Sequence, residues 1–245
     1  MRVSRLFVDL PLNTGQTLEL NEESGHYLRT VLRLKKDAQV ILFNGQGGEY
    51  TAILLEVSRK RVRVHIDKKI ARSVESPLHV SMGMGISRGD RMDMAVQKSV
   101  ELGVNRINPI ITQRCNVVIK ADKAEHKRQH WQKIAQQAAE QCGRTQVPDV
   151  EPIVSYSSWV ERSFDATLKL FLDPFSEQPL TQVKNTPTQV VLLTGPEGGF
   201  CEQEKQHAIT HGFIPIRLGA RILRTETASL AALSAVQLLW GDLGE

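Results

Sequence analysis

Cysteine is scarce in this chain of 245 residues: Cys115, Cys142 and Cys201 are the only three. Odd in number and far apart, they exclude a disulfide framework and a Cys-type zinc site, and they read as free thiols in packing roles. Long apolar runs are missing too. No stretch can span a bilayer, and the opening MRVSRLFVDL lacks the basic-then-apolar layout of a signal peptide, so a cytoplasmic location without membrane association is expected. The chain also lacks a nucleotide-phosphate loop. MGMGISRG (82–89) imitates a dinucleotide fingerprint with the wrong last spacing and reads as a strand end, and no Gly-Lys-Ser/Thr follows a glycine-rich turn. His126 with His130 and His207 with His211 stand four apart, as metal pairs on helices do. Neither has a third ligand or an HExxH glutamate nearby, so no metal is expected.

What is present begins with an uneven charge. Residues 1–72 hold 13 Lys/Arg against 8 Asp/Glu, whereas residues 73–245 hold 18 against 19. All of the basic excess therefore lies in the first third. Charged strand edges that keep a small domain soluble would account for it; a docking surface for nucleic-acid phosphate is the sharper reading. Arg2, Arg5, Arg29, Arg33, Arg59, Lys60 and Arg61 would supply that surface.

The rhythm of the chain changes near RSVESP (72–77), which sets expected domains of 1–72 and 73–245. Before the break the segments VSRLFVDL, QTLEL, AQVILFN, EYTAILLEV and RVRVHIDKKI read as short strands, with HYLRTVLR (26–33) as a short helix. A small barrel or sandwich fits that pattern. After the break strands alternate with helices: LHVSMGMGI, a helix from Asp90, RINPIIT, a long helix from Asp122, TLKLFLD, QVVLLT, a helix near 202–211, FIPIRLG, and a last helix near 226–240. Such alternation predicts a parallel sheet covered on both faces, with ligands beyond the C-terminal strand ends. Three loops converge on that rim: FLDPF (171–175), LLTGPEGGF (192–200) and RLGARILRTET (217–227).

In the second loop Glu197, Glu202 and Glu204 outnumber Lys205, which predicts a neutral or partly cationic ligand held by backbone groups. In the third, Arg217, Arg221 and Arg224 cluster before Thr225 or Thr227, either of which can cap the last helix. That helix, ASLAALSAVQLLW, is apolar on nearly every face. It is expected to be buried all round, inside the domain or against another subunit.

GPEGGF and LGARILRTETA together resemble the C-terminal motifs of SPOUT-class RNA methyltransferases, most closely the RsmE family. MRVSRLFV with HYLRTVLRL, KSVELGVNRINPIITQRC (98–115) and EQCGRTQVP (140–148) resemble that family's other blocks, in order. Cys115 departs from the serine commoner there. The resemblance implies an α/β protein: an N-terminal PUA-like β-barrel that grips ribosomal RNA, then a SPOUT α/β trefoil-knot methyltransferase domain, dimeric through the knot. Threading is an exception to the usual rule against knots and lies beyond what a sequence pattern displays.

By the same resemblance the cofactor is S-adenosylmethionine and the product 3-methyluridine in small-subunit ribosomal RNA, with that RNA or the 30S particle as partner. Cofactor contacts are implied at Leu172 and Asp173, at Thr194, Gly195, Glu197 and Gly199, and at Leu218, Ile222, Leu223, Arg224 and Thr225. Methylating N3 requires loss of its proton, or stabilisation of charge developing on the ring carbonyls. No side chain is forced as base. Glu140 and Glu197 are candidates, and Arg114, Arg144 and Arg224 are candidates for charge stabilisation; a plain i,i+4 pair is the commoner fate of Glu140 with Arg144. A related knot enzyme with another target atom, or a non-catalytic assembly factor, are the competing readings.

Overall fold

The structure is a computed structural model that describes residues 3–162, 164, 168–184 and 186–244. It divides into two compact units. The first comprises residues 1–75 and 139–147, the second residues 76–138 and 148–245. The composition break thus falls three residues before the observed boundary, and the segment 139–147 belongs with the first unit.

In the first unit, β1 (Ser4–Phe7), β2 (Thr17–Glu19), β3 (Gln39–Phe43), β4 (Glu49–Val57) and β5 (Val62–Ile70) form one sheet in the order β1-β3-β4-β5-β2. The β4–β5 hairpin dominates it. In β5, Val62, Val64 and Ile66 are buried at every second position, the period that puts one strand face on a core. They pack with Leu6, Leu28, Leu42 and Leu54. The expected helix at 26–33 starts earlier, as α1 (Glu22–His26), because the Asn21 side chain caps it by accepting from the Ser24 N–H; a wider π-helical turn, Tyr27–Val31, continues it.

In the second unit, β6 (His79–Gly85), α2 (Asp90–Glu101), β7 (Arg106–Ile111), α3 (Ala121–Cys142), β8 (Asp149–Val150), β9 (Val154–Ser155), α4 (Tyr156–Val160), β10 (Leu168–Leu172), β11 (Gln189–Thr194), α5 (Glu202–Thr210), β12 (Ile214–Ile216) and α6 (Thr225–Trp240) follow in order. The last turn of α3 lies in the 139–147 segment of the first unit. All strand pairs are parallel, ordered β12-β10-β11-β6-β7-β8, with β9 also on β7. Six consecutive residues of β6 and five of β11 are buried, so both sheet faces are covered. β8, β9 and α4 escape the sequence reading because two-residue strands and a one-turn helix leave no periodicity.

The strand order positions the site. β12, β10 and β11 are neighbours and parallel, so the loops leaving their C-terminal ends must gather on one rim.

Candidate active site

Those three loops enclose a cavity of about 600 Å³, within the range of small-molecule sites. The first loop is pinned at its base. Asp173 N–H donates to the Ile216 carbonyl at 3.0 Å, and the Asp173 carboxylate accepts the Phe175 N–H at 3.1 Å, a local turn that fixes the following residues. The second loop turns tightly, with Gly199 N–H donating to the Pro196 carbonyl at 2.9 Å and Gly199 at φ +65°, a conformation L side chains rarely adopt. Beside it, a Cβ on Gly198 would lie 2.8 Å from Arg114 Cβ and 2.9 Å from the Arg114 carbonyl oxygen. Only glycine lets this backbone approach.

The third loop is tied to the second. Contrary to the expectation that Thr225 or Thr227 caps α6, the cap position is Arg224, and the Thr225 hydroxyl donates to the Gly195 carbonyl. One turn on, Ser229 Oγ donates to Thr194 Oγ1 at 3.0 Å. The hydroxyls therefore serve as rivets between β11 and the start of α6.

Electrostatically the site departs from the expected negative loop. Arg91 Nη1 lies 3.4 Å from Glu197 Oε1, which also accepts the Arg88 N–H at 3.0 Å. Lys205 Nζ lies 3.1 Å from both Asp173 Oδ2 and Glu202 Oε1. Partial burial alone would lower the Lys205 pKa; hydrogen bonds to Asp173 and Glu202 overcome it and raise it above the usual lysine value. Glu204 is buried and occupied in the loop's own framework, accepting the Cys201 and Gln113 N–H groups at 3.0 and 2.8 Å. Five cations and three carboxylates line the cavity, and Arg114, Arg221 and Arg224 form no ion pair with the described residues. The surplus charge there is positive.

All eleven loop residues named above line this cavity, as do Arg114 and Arg224. Glu140 and Arg144 do not. They lie in the first unit, where Glu140 Oε1 accepts the Phe7 N–H at 2.9 Å and the Arg144 guanidinium, 5% exposed, pairs with Glu75 at 2.6 Å. Arg91, Phe175, Lys205 and Arg221 also line the cavity without having been singled out as site residues. Arg221 and Phe175 sat inside quoted loops, but Arg91 and Lys205 come from helices whose facing no local pattern disclosed.

The expected RNA-binding set is similarly divided. Arg5 is 7% exposed in an ion pair with Glu49, its guanidinium also donating to the Arg144 carbonyl at 2.8 Å, so it is not offered to solvent. Arg29 holds the β4–β5 turn, donating to the Ser58 and Arg59 carbonyls at 2.8 and 3.1 Å. Arg61 is partnered by Glu56, whose pKa its hydrogen bond lowers. Arg33, Arg59 and Lys60 remain exposed, and Arg2 lies outside the described residues.

His130 pairs with Asp93 at 2.9 Å, and His207 lies 3.3 Å from Glu161 and packs on His211. Among the described residues no cluster of three metal-ligating side chains occurs, and no helix is long and apolar enough to cross a membrane.

Comparison with known proteins supplies the context. A family profile described as an RNA methyltransferase domain matches residues 74–237, and one described as an RNA methyltransferase PUA domain matches residues 20–67. The chain is 36% identical over 242 residues to ribosomal RNA small subunit methyltransferase E of Buchnera aphidicola from Schizaphis graminum, covering 99% of this chain and 98% of that one. The Bacillus subtilis enzyme of the same name is 31% identical, with 98% and 100% covered. Among solved structures, a methyltransferase from Legionella pneumophila in complex with S-adenosylmethionine superposes with a TM-score of 0.96 at 41% identity, covering 99% and 100% of the two chains. Ribosomal RNA small subunit methyltransferase E from Neisseria gonorrhoeae, bound to S-adenosylmethionine, gives 0.93 at 39% with the same coverage.

Proposed function

Because the chain belongs to the family of ribosomal RNA small subunit methyltransferase E, whose members use S-adenosylmethionine, we propose that it methylates N3 of a uridine in small-subunit ribosomal RNA. The observation that carries this is the cavity built from three parallel-strand loops and lined by all eleven residues the family motifs implicate. The cavity suits the cofactor on its own chemistry. Leu172, Ile216, Leu218 and Leu223 offer apolar walls for a purine, and the loops bring glycine backbone close to any occupant. Among the described residues Glu197 Oε2 is buried without a hydrogen-bond partner, an acceptor that a ligand's hydroxyl or ammonium would satisfy.

S-adenosylmethionine, when bound, supplies an electrophilic methyl on a sulfonium. The chain's own residues hold the uridine in line with that methyl and lower the cost of charge on its ring. Arg114 and Arg224 are assigned to the developing negative charge on the uracil carbonyls, because both line the cavity and neither is neutralised by a described carboxylate. Of the two candidate bases, Glu197 lines the cavity and Glu140 does not, so the proton is assigned to Glu197. Positioning supplies much of the acceleration, so loss of any one of these groups slows transfer without abolishing it.

The first unit is assigned to RNA, through Arg33, Arg59 and Lys60 and phosphate contacts that weaken with salt. A cytoplasmic location is part of the same reading, since ribosomal subunits are the substrate. Incubation with methyl-labelled S-adenosylmethionine tests it. Label is expected in RNA of unmodified small subunits, more than in the deproteinised RNA. Cofactor binding measured by calorimetry without transfer to either would overturn catalysis and favour an assembly factor.

A further inference from the structure

Phe175 is the most unusual side chain at the cavity. It is 75% exposed, although burying an aromatic ring of this size is strongly favourable, and with Ile222 at 76% it is one of two large apolar side chains left open on the cavity lining. Its place is nevertheless fixed. Pro174 restricts the backbone before it, Asp173 Oδ1 accepts its N–H at 3.1 Å, and Ser176 behind it donates to the carbonyls of Asp173 and Pro215, at 3.1 and 2.9 Å. The Lys205 ammonium stands 5.6 Å from the ring centroid. That lysine is itself held by Asp173 and Glu202.

A rigidly mounted, solvent-facing aromatic ring beside a cavity has a known use in RNA recognition. Bases taken out of a stack are received on aromatic faces, and the ring's quadrupole is indifferent to base identity. The cation near the ring and the apolar exposure suit a neutral, flat, partly hydrated ligand such as uracil. They do not suit a phosphate, for which the paired Lys205 has little net charge to offer.

We propose that Phe175 is a substrate-positioning residue: its exposed ring stacks on the target nucleobase, or on the base next to it, as the RNA enters the cavity. This rests on the methyltransferase reading. The Asp173–Lys205–Glu202 group then acts at one remove, as the mount that holds the ring.

The test compares wild type with Phe175→Leu and Phe175→Trp, using unmodified small ribosomal subunits and labelled S-adenosylmethionine. Stacking on a base is worth about 1–3 kcal/mol, so Phe175→Leu is expected to lower kcat/KM for the RNA by about 5- to 150-fold, mostly through KM. Phe175→Trp should restore most of it. The cofactor Kd from calorimetry and the sedimentation coefficient should be unchanged in both variants. Equal kcat/KM in wild type and Phe175→Leu would overturn the proposal while leaving the enzyme reading intact. A weakened cofactor Kd would reassign the ring to the adenine, and an altered sedimentation coefficient would reassign it to a subunit contact. Absence of methyl transfer by the wild type itself would remove the functional reading, and this inference with it.

Discussion

At Gly198 the second loop passes so close to Arg114 that a single methyl group decides whether the site closes. Gly198→Ala would place its Cβ 2.8 Å from Arg114 Cβ and 2.9 Å from the Arg114 carbonyl, and backbone cannot yield as a flexible side chain does. We expect the substitution to weaken S-adenosylmethionine binding at least tenfold in calorimetry while the melting temperature falls only slightly, since the loop rather than the core moves. Arg144 makes the opposite prediction. Its buried pair with Glu75 means that Arg144→Ala leaves a carboxylate whose remaining partners among the described residues are the Thr145 and Gln146 N–H groups, at 3.1 and 3.2 Å. The loss is expected to cost about 3 kcal/mol of stability, read by urea unfolding, with the cofactor Kd unchanged. The sequence made the three loops legible because glycine, proline and strand ends announce themselves locally. It concealed the work of Arg5 and Arg144, because their partners Glu49 and Glu75 lie 44 and 69 positions away and no short-range pattern joins them.

Among the elements, α5 shows how packing sets a titration. Tyr156 at the start of α4 is 5% exposed, and its hydroxyl donates to the Glu204 carbonyl in α5. Burial, then the nearby Glu204 and Cys201, push its pKa well above the ordinary tyrosine value of 10.0. The folded state therefore keeps the phenolic proton at a pH where the unfolded chain releases it. Stability is whole below pH 10 and declines as pH rises from there towards the folded value. Tyr156→Phe should cost about 1 kcal/mol at pH 8 through the lost hydrogen bond. Its stability should fall less steeply than wild type between pH 9.5 and about 11, measured by denaturant midpoints; parallel curves would refute the assignment. The long strands and α2, α3, α5 and α6 were readable from periodicity and turn chemistry. β12 is shorter than FIPIRLG predicts, with only Ile214–Ile216 in the sheet; Arg217 N–H instead donates to the Gln178 carbonyl and draws the chain off towards the third loop.

For the whole molecule, α6 is the informative surface. Apolar on nearly every face, it buries Ser229, Ala232, Leu233, Val236 and Gln237, yet Ala231, Ser234 and Ala235 are only half-buried and Leu238 is 61% exposed. That stripe, at helical spacing, is the surface we propose for the homodimer that the family resemblance implies. Leu238→Glu is expected to shift sedimentation from dimer to monomer, and a wild-type monomer would contradict the assembly outright. Substrate identity stands above all of these. After transfer of labelled methyl to unmodified small subunits, the RNA is digested and the labelled nucleoside identified by mass spectrometry. Label is expected in 3-methyluridine alone; label in a ribose-methylated nucleoside or another base would contradict N3 methylation.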